Sequence, residues 1–578
     1  MHPLSRLIAE RVATGLKRKS IGDCAKWAET YRVMGGSFPG IWSWKYHPWL
    51  LEMHMAEGQK IVGQKAAQMG YTEWALNKAF YTLDILGLSV LYVLPSSDDA
   101  SDFSASRFDR ALENSVHLSK LFSDVKNVGH KRAGNASLYV RGSRSRSKLK
   151  SIDTALLIFD EVDEMMQENI PLAMERQSGQ RLDTKQVLKL STPTIEDKGI
   201  NVDFKESTQD HYHFKCPHCN RFIELDFPDN LVITADSERD PNIVNSHYIC
   251  NLCKHALFYL PTNLLAQTEL EQYTQSKAAT LAHKEFGGSG HGVPTYSNRS
   301  VPGFYINQMY SCTILPSDLA TSYLKGKKDP TEETEFFNSK LGRTHAVAGA
   351  KVTEDELIKC GAGRSERRMA NTPPKNGVRT MGIDVGGVNH VTIEEWKFTG
   401  QKLAGFIIND IAHPTVIYAG TTSGRADDFG ELDHLFKEYR VDGAVIDAEP
   451  ERRESYKFAT RFWGRVLLLD WLWSQQGRAV IIGPEEECTM KANRTSWLDL
   501  ALGRFRQQTI DLPGDISAEY CDHIREPQRI YKKDKYGNPV GYYESAKADH
   551  FAFSRVFSEL ALALAVSTAT NQDIRDMF

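Results

Sequence analysis

Four cysteines in two matched pairs carry the clearest chemistry in the chain: Cys216-Pro-His-Cys219 and, after a long spacer, Cys250-Asn-Leu-Cys253. Two CxxC knuckles can set four thiolates tetrahedrally around one Zn²⁺, each pair held in a tight turn. A closed set of four leaves no position for a substrate, so the expected role is structural. His218, inside the first knuckle, is read as facing solvent or supporting a ligand rather than binding the metal. The second feature is Leu156-Leu-Ile-Phe-Asp160-Glu161-Val-Asp163-Glu164, an apolar strand ending in acid. This is the Walker B arrangement, in which Asp160 would hold Mg²⁺ through water and Glu161 would orient the attacking water. It requires a phosphate loop upstream, and GxxxxGK[ST] is absent. In its place Gly63-Gln-Lys65-Ala-Ala-Gln68-Met-Gly70-Tyr71-Thr72 follows a short apolar stretch. Gly70 permits close backbone approach, and Thr72 stands where a Mg²⁺-binding hydroxyl belongs. A helix starting there would turn its N-terminus to the phosphates. Tyr71 replaces the usual lysine, leaving Lys65 as the nearby ammonium. On spacing alone the loop reads as structural. Further on, Ser191-Thr192-Pro193-Thr194 closes an apolar strand, where hydroxyls can sense a γ-phosphate or simply cap a helix.

These groups need elements to hold them. Between residues 41 and 193, short apolar runs (59–63, 89–94, 155–159, 187–190) alternate with amphipathic stretches, which predicts a mostly parallel sheet covered by helices. The first 40 residues read as a helical preface, beginning in a basic amphipathic segment without an apolar signal core. Residues 211–262 break the alternation with the cysteine pairs and short β-prone segments, and Gly287-Gly-Ser-Gly-His-Gly292 reads as a mobile connector. Residues 360–377 are polar, basic and rich in Pro and Gly, the best domain boundary in the chain. A second α/β pattern begins at Val378. The chain has 578 residues, 41% apolar and 25% charged, enough for several cores. Its 70 basic and 74 acidic residues leave a net charge of −4, so nucleic acid would have to bind local patches. One such patch is Arg141, Arg144, Arg146, Lys148 and Lys150, by default a solvated loop, alternatively a DNA contact or an arginine finger from Arg144 or Arg146. The late apolar run at 560–566 is far below the ~18 residues that span a bilayer. Nine cysteines, four of them paired as CxxC, suit a reducing compartment, and the reading is of a soluble intracellular protein.

The order Lys65-Ala-Ala-Gln-Met-Gly-Tyr-Thr72, Phe159-Asp-Glu-Val-Asp-Glu164, Ser191-Thr-Pro-Thr194 and then two CxxC knuckles resembles the large terminase subunits of tailed double-stranded DNA phages. Within them it is most similar to the lambda-type group, which places its phosphate-loop lysine at the start of the loop, before a Gly-Tyr-Ser/Thr ending. The likeness extends over Val301-Pro-Gly-Phe-Tyr-Ile-Asn-Gln-Met-Tyr-Ser311 and Phe337-Asn-Ser-Lys-Leu-Gly342 and on into the second half. It implies a P-loop-type ATPase domain at 41–210 and 300–359, with a zinc-knuckle insertion at 211–299. A linker at 360–377 and a ribonuclease-H-like α/β nuclease at 378–578 would follow. It implies ATP held by Lys65, Gln68, Gly70, Tyr71, Thr72, Asp160, Ser191 and Thr192, with Mg²⁺ shared by Thr72 and Asp160 and Glu161 as the catalytic residue that positions water. The implied partners are double-stranded DNA, a small terminase subunit, the portal protein of the procapsid and further copies in a ring. The implied location is the cytoplasm of an infected bacterium.

A second active site is implied too. Thr380-Met-Gly-Ile-Asp384 and Gly443-Ala-Val-Ile-Asp447 are apolar strands that each end in an aspartate, and Asp549-His550 opens a long apolar stretch. Two strand carboxylates and one at a C-terminal helix make the ribonuclease-H-like layout, where clustered acids bind two Mg²⁺ or Mn²⁺ ions about the scissile phosphate. Without the resemblance, three aspartates capping elements would be the better reading. Glu449 and His550 are weaker candidates. Two other readings stay open at this level: a nucleic-acid-stimulated helicase or repair ATPase with a zinc module, and a non-enzymatic zinc-bearing DNA-binding scaffold.

Overall fold

The computed structural model describes residues 21–122, 125–150, 152–257, 290–364, 369, 377–400, 407–423, 429–472, 477–533 and 539–577. Two compact units divide the chain, Met1–His345 and Ala346–Phe578.

In the first unit, seven parallel strands form the middle of the sheet: β1 (Lys60–Lys65), β2 (Val90–Leu94), β3 (Ala136–Gly142), β4 (Leu156–Asp160), β5 (Gln186–Ser191), β6 (Asp210–Lys215) and β7 (Gly303–Ile306). Their spatial order is β6-β7-β1-β5-β4-β2-β3, every neighbouring pair parallel. Such strands are covered on both faces and so read as unbroken apolar runs. Alternate residues feed two cores: Val90, Tyr92, Leu156 and Ile158 face one cluster, Leu91, Val93, Leu157 and Phe159 the other. Helix α1 (Tyr71–Tyr81) lies on the first face. Antiparallel strands extend both edges, Phe222–Ile223 and His291–Pro294 on β6, and 125–127 with 130–133 beyond β3.

Two expectations shift here. Residues 211–215 are the body of β6, so what departs from the motor sheet starts at Cys216, not at 211. The end of the glycine-rich stretch, expected as a connector, is an edge strand: His291 and Gly292 pair with His213 and Tyr212. Residues 287–289 lie outside the described residues. Of the N-terminal preface, Cys24–Tyr31 is helical, while 1–20 lie outside the described residues.

The second unit carries β8 (Val378–Asp384), β9 (Val388–Phe398), β10 (Ala412–Ser423), β11 (Gly443–Asp447), β12 (Val466–Leu472) and β13 (Thr489–Asn493). Their order is β10-β9-β8-β11-β12-β13, the first three antiparallel and the remainder parallel. Helix α2 (His550–Thr570) lies directly on the central strand: a Cβ at Gly382 would come within 1.8 Å of the Ser554 carbonyl oxygen. Thr380 and Thr392 reach across to Ser558 and Ser554 at 2.6 and 2.7 Å. Among the described residues α2 is the one helix long and apolar enough to cross a membrane, and 83% of its apolar window is buried in the domain. It also carries Arg555 and Glu559, which pair with Glu394 and Arg504 in the core. A domain core explains those charges and a lipid span does not.

The domain boundary also moves. Val352, Leu357 and Cys360 share a core cluster with Trp497 and α2, so 346–359, expected with the motor, pack with the second unit. Most of the expected 360–377 linker lies outside the described residues, and the apolar face of Glu354–Lys359 decides which core that helix joins.

Candidate active sites of the two units

Lys65 ends β1 with its side chain almost fully buried. Its ammonium sits 2.9 Å from Glu161 Oε1 and donates to Thr192 Oγ1 at 3.3 Å. Glu161 follows β4 in the left-handed region (φ 65°), a conformation that costs a non-glycine residue about 1–2 kcal/mol and collects at functional sites. Its other oxygen faces Ser191 Oγ at 3.4 Å and the Thr192 amide at 3.5 Å. Asp160 is 2% exposed and accepts a 2.6 Å hydrogen bond from Tyr92. Burial pushes its carboxyl up to about 6 and the Glu161 charge adds to this, while Lys65 and the Tyr92 and Thr72 hydroxyls pull it back. Lys65, Thr72, Asp160, Glu161, Ser191 and Thr192 thus meet at the carboxyl ends of β1, β4 and β5, where open parallel sheets bind ligands. Asp163 serves the fold: it accepts from the amides of Thr194 and Ile200, both at 2.8 Å.

Tyr71 does not join them. Its ring is 1% exposed and packs over Gly63 and edge-on to Trp74, 6.0 Å between centroids. An ammonium there would be buried against apolar surface, which is why the cation comes from the end of β1 instead. The expected contact of Tyr71 with nucleotide is therefore one its backbone alone can make. Gly70 (φ 83°) opens α1, and Gln68 (φ 61°) is exposed in the loop before it.

The second set of residues that shape the loop carried no chemical signature in the sequence. Gly342 (φ 65°) lies under it: a Cβ there would stand 2.5 Å from the Ala66 nitrogen and 2.6 Å from the Lys65 carbonyl carbon. Its carbonyl accepts from Gln64, the Ala67 amide donates to the Ser339 carbonyl, and Asn338 donates to the Thr194 carbonyl. The 337–342 segment so ties the phosphate loop to the Ser191–Thr194 turn. Replacing Gly342 with Ala is expected to weaken nucleotide binding and ATP turnover together while plasmid cleavage is retained; an unchanged ATP KM would show that the loop tolerates the shift.

Arg144, Arg146, Lys148 and Lys150 are exposed beyond the carboxyl end of β3. Arg141 instead donates to the carbonyls of Gly129 and Val140. Trp42 and Trp49 are core residues, and Trp49 donates to the Met69 carbonyl at 3.0 Å.

The four paired cysteines converge. Cys216 and Cys253 sulfurs lie 3.8 Å apart and Cys219 and Cys250 4.0 Å, all four within 4.8 Å. Zn–S bonds of about 2.3 Å in a tetrahedron put sulfurs about 3.8 Å apart, so the set fits one Zn²⁺. The two knuckles are alike: Cys216 and Cys250 carbonyls each accept at 2.9 Å from the amide four residues on, and those residues, Asn220 and Lys254, have φ of 56° and 60°. His218 stays outside, stacked on His255 at 4.4 Å.

In the second unit Asp384 ends β8. Ile383 pairs with Ile446, so Asp447 stands beside Asp384 on one side, and His390 is its register partner on the other. Asp549 immediately precedes α2 and accepts from the Ser545 hydroxyl at 2.5 Å, and His550 places Nδ1 2.7 Å from Asp384 Oδ2. Burial pushes Asp384 up, with the Asp549 charge adding and His550 opposing. Asp447 rises to about 7, by burial first and then by the charges of Asp384 and Glu449. Acids packed so closely suit a bound cation, whose charge would hold them ionised. The expected trio is thus brought to one place, but the tightest donor group is Asp384 with His390 and His550, within 4.8 Å. His390, 7% exposed and stacked on His550 at 4.5 Å, was not legible in the sequence. Glu449 is largely exposed and pairs with Arg452.

Two domain models of one family match the chain: "Phage terminase large subunit gpA, ATPase domain" over residues 36–258 and "Terminase large subunit gpA, endonuclease domain" over 301–503. Together they take in well over half of the sequence. The chain belongs to the phage terminase large subunits. It is an ATPase and metal-dependent endonuclease of DNA packaging, and the helicase and scaffold readings fall away. No curated protein matches. Among solved structures, the HK97 bacteriophage large terminase aligns at 9% identity over 93% of this chain and 98% of its own, with a TM-score of 0.48. The ATPase domain of the Thermus phage P74-26 large terminase aligns at 12% identity over 51% of this chain and 92% of its own, TM-score 0.29. The magnesium-bound nuclease of the phage G20c large terminase aligns at 12% over 37% of this chain and 98% of its own, TM-score 0.23. The family rests on the two domain models.

Proposed function

We propose that this terminase subunit hydrolyses ATP with Lys65, Asp160 and Glu161 and cuts DNA with Asp384, Asp447 and Asp549. The observation that carries the first half is the meeting of Lys65, Glu161, Ser191 and Thr192 within hydrogen-bonding reach at one sheet edge. Lys65 binds the β- and γ-phosphates from the end of β1. The Gly70–Thr72 backbone turns the start of α1 to the same phosphates. Thr72 and Asp160 would hold Mg²⁺, which when bound neutralises charge developing on the phosphates. Glu161 orients the attacking water once Lys65 is engaged by phosphate, and Ser191 and Thr192 pass the loss of the γ-phosphate to the Thr194–Asn338 contact. Arg144 and Arg146, exposed beyond the carboxyl end of β3, would serve a neighbouring copy or the DNA backbone.

In the nuclease, Asp384, Asp447 and Asp549 would hold Mg²⁺ or Mn²⁺, which when bound activates water and stabilises the leaving oxygen. His550 orients Asp384, and His390 packs His550 in place. The lambda-type placement is supported by the gpA origin of both domain models. By family membership the partners are double-stranded DNA, the small terminase subunit, the portal protein and further copies in a ring, in the cytoplasm of the infected host. We place the motor at 21–345, since the helix Cys24–Tyr31 buries Trp27 and Ala28 in the same core, with the zinc segment from Cys216, and the nuclease at 346–578; the division into two compact units supports this. The test is purified protein with plasmid, ATP and Mg²⁺ or Mn²⁺, scored for ATP hydrolysis and DNA cleavage together; neither activity under any metal would sink both halves.

Cys216, Cys219, Cys250 and Cys253 would bind one Zn²⁺ per chain. Since metal binding is folding free energy in so small a module, Cys216→Ser or strong chelation is expected to lower the melting temperature and expose the 216–257 segment to protease. Metal analysis finding no zinc, with Cys216→Ser as stable as wild type, would refute the site.

A further inference from the structure

We infer that Tyr92 is a positioning residue of the ATPase: its phenol holds the Asp160 carboxylate in the one orientation that presents its second oxygen to the nucleotide-bound cation. This rests on the proposed reading of Asp160 as a carboxylate of the Mg²⁺ site.

Tyr92 lies in the middle of β2, which runs parallel to β4 with Tyr92 paired to Ile158. Side chains two residues apart on a strand share a face, so Ile158 and Asp160 point to the same side as Tyr92, and the phenol spans one step along β4 to reach the acid. The ring has no freedom. It packs against Phe103 at 4.8 Å and edge-on to Phe108 at 5.9 Å, and Tyr92 has no solvent exposure. Its O–H donates to Asp160 Oδ2 at 2.6 Å, the length of a charge-assisted bond. The other oxygen, Oδ1, is buried without a hydrogen-bond partner. An orphaned buried carboxylate oxygen needs an explanation, and a bound cation or its water supplies one.

The χ2 torsion of aspartate is broad and two-fold. Nothing in β4 itself dictates which oxygen faces the site; the Thr72 hydroxyl lies near the same carboxylate, and the 2.6 Å bond that holds one of its oxygens comes from the neighbouring strand. The phenol occupies Oδ2 and, having one proton to give, cannot also take Oδ1. Phenylalanine at this position would keep the packing of the ring and leave both oxygens free to exchange.

The experiment measures ADP affinity in the full chain with Mg²⁺ and with EDTA. Wild type is expected to bind ADP more tightly with Mg²⁺. Tyr92→Phe should leave EDTA-condition binding unchanged and reduce the Mg²⁺-dependent gain about ten-fold or more, the worth of a hydrogen bond to a charged group. Its ATPase should need correspondingly more Mg²⁺ for half-maximal rate. Asp160→Ala should abolish the gain, and the double variant should match Asp160→Ala, because Tyr92 acts only through that acid. ADP binding in EDTA, made by the same unit, reports folding of each variant. A full Mg²⁺ gain in Tyr92→Phe beside its loss in Asp160→Ala overturns the inference about Tyr92. A full gain in Asp160→Ala overturns the reading of Asp160 itself. Equal weakening of ADP binding with and without Mg²⁺ would make Tyr92 a packing residue and overturn the inference as well.

Discussion

Asp384→Ala is expected to abolish DNA cleavage while leaving ATP hydrolysis near wild type. Asp384 is 8% exposed at the end of the central strand, between Asp447 and His390 in register and 2.7 Å from His550. His390 and His550 group with this carboxylate within 4.8 Å, so its loss removes a cation ligand and frees His550 together. Losing an outer-shell partner of a metal site costs roughly ten- to a hundred-fold, and losing the shared ligand should exceed that. Glu161→Ala is the mirror experiment: ATP turnover falls and ATP-independent plasmid nicking persists. Cleavage at wild-type rate by Asp384→Ala would mean that the second unit has been misread, whatever its fold.

Lys65→Ala should lower kcat for ATP by roughly a hundred- to a thousand-fold, as removal of a preorganised charge from a phosphoryl-transfer site does. The ammonium lies 2.9 Å from Glu161 and 3.3 Å from Thr192, so its loss also leaves Glu161 without its main partner. Lys65→Arg should restore little, since the guanidinium is a planar fork and the ammonium a compact point charge in a nearly closed pocket. Tyr71→Phe is the informative companion. The ring is buried on Gly63 and Trp74, and removing its hydroxyl should leave kcat unchanged, although Tyr71 occupies the sequence position of the usual lysine. Near-normal turnover in Lys65→Ala, or a collapse in Tyr71→Phe, would reverse the assignment of the loop.

What the sequence by itself determined is what lies within one element or one turn. The CxxC knuckles, the strand ending in Asp160-Glu161, the hydroxyl turn after β5 and the two strands ending in Asp384 and Asp447 all declare themselves locally. Hydrogen bonding, burial on both faces and cap chemistry act over a few residues there. Lys65 was legible for the same reason, as the one ammonium at the end of an apolar run. The tertiary structure decided what depends on which strand lies beside which. Tyr92 meets Asp160 across 68 residues, His550 meets Asp384 across 166, and Gln64 meets Gly342 across 278. His390 became a neighbour of Asp384 only through the antiparallel register of β8 and β9. Residues 346–359 joined the second core because Leu357 packs there, which no composition shift records. Parallel crossovers and sheet register are set by the fit of whole faces against one another. A histidine or tyrosine that such a fit carries into an active site looks, in its own strand, like any other core residue.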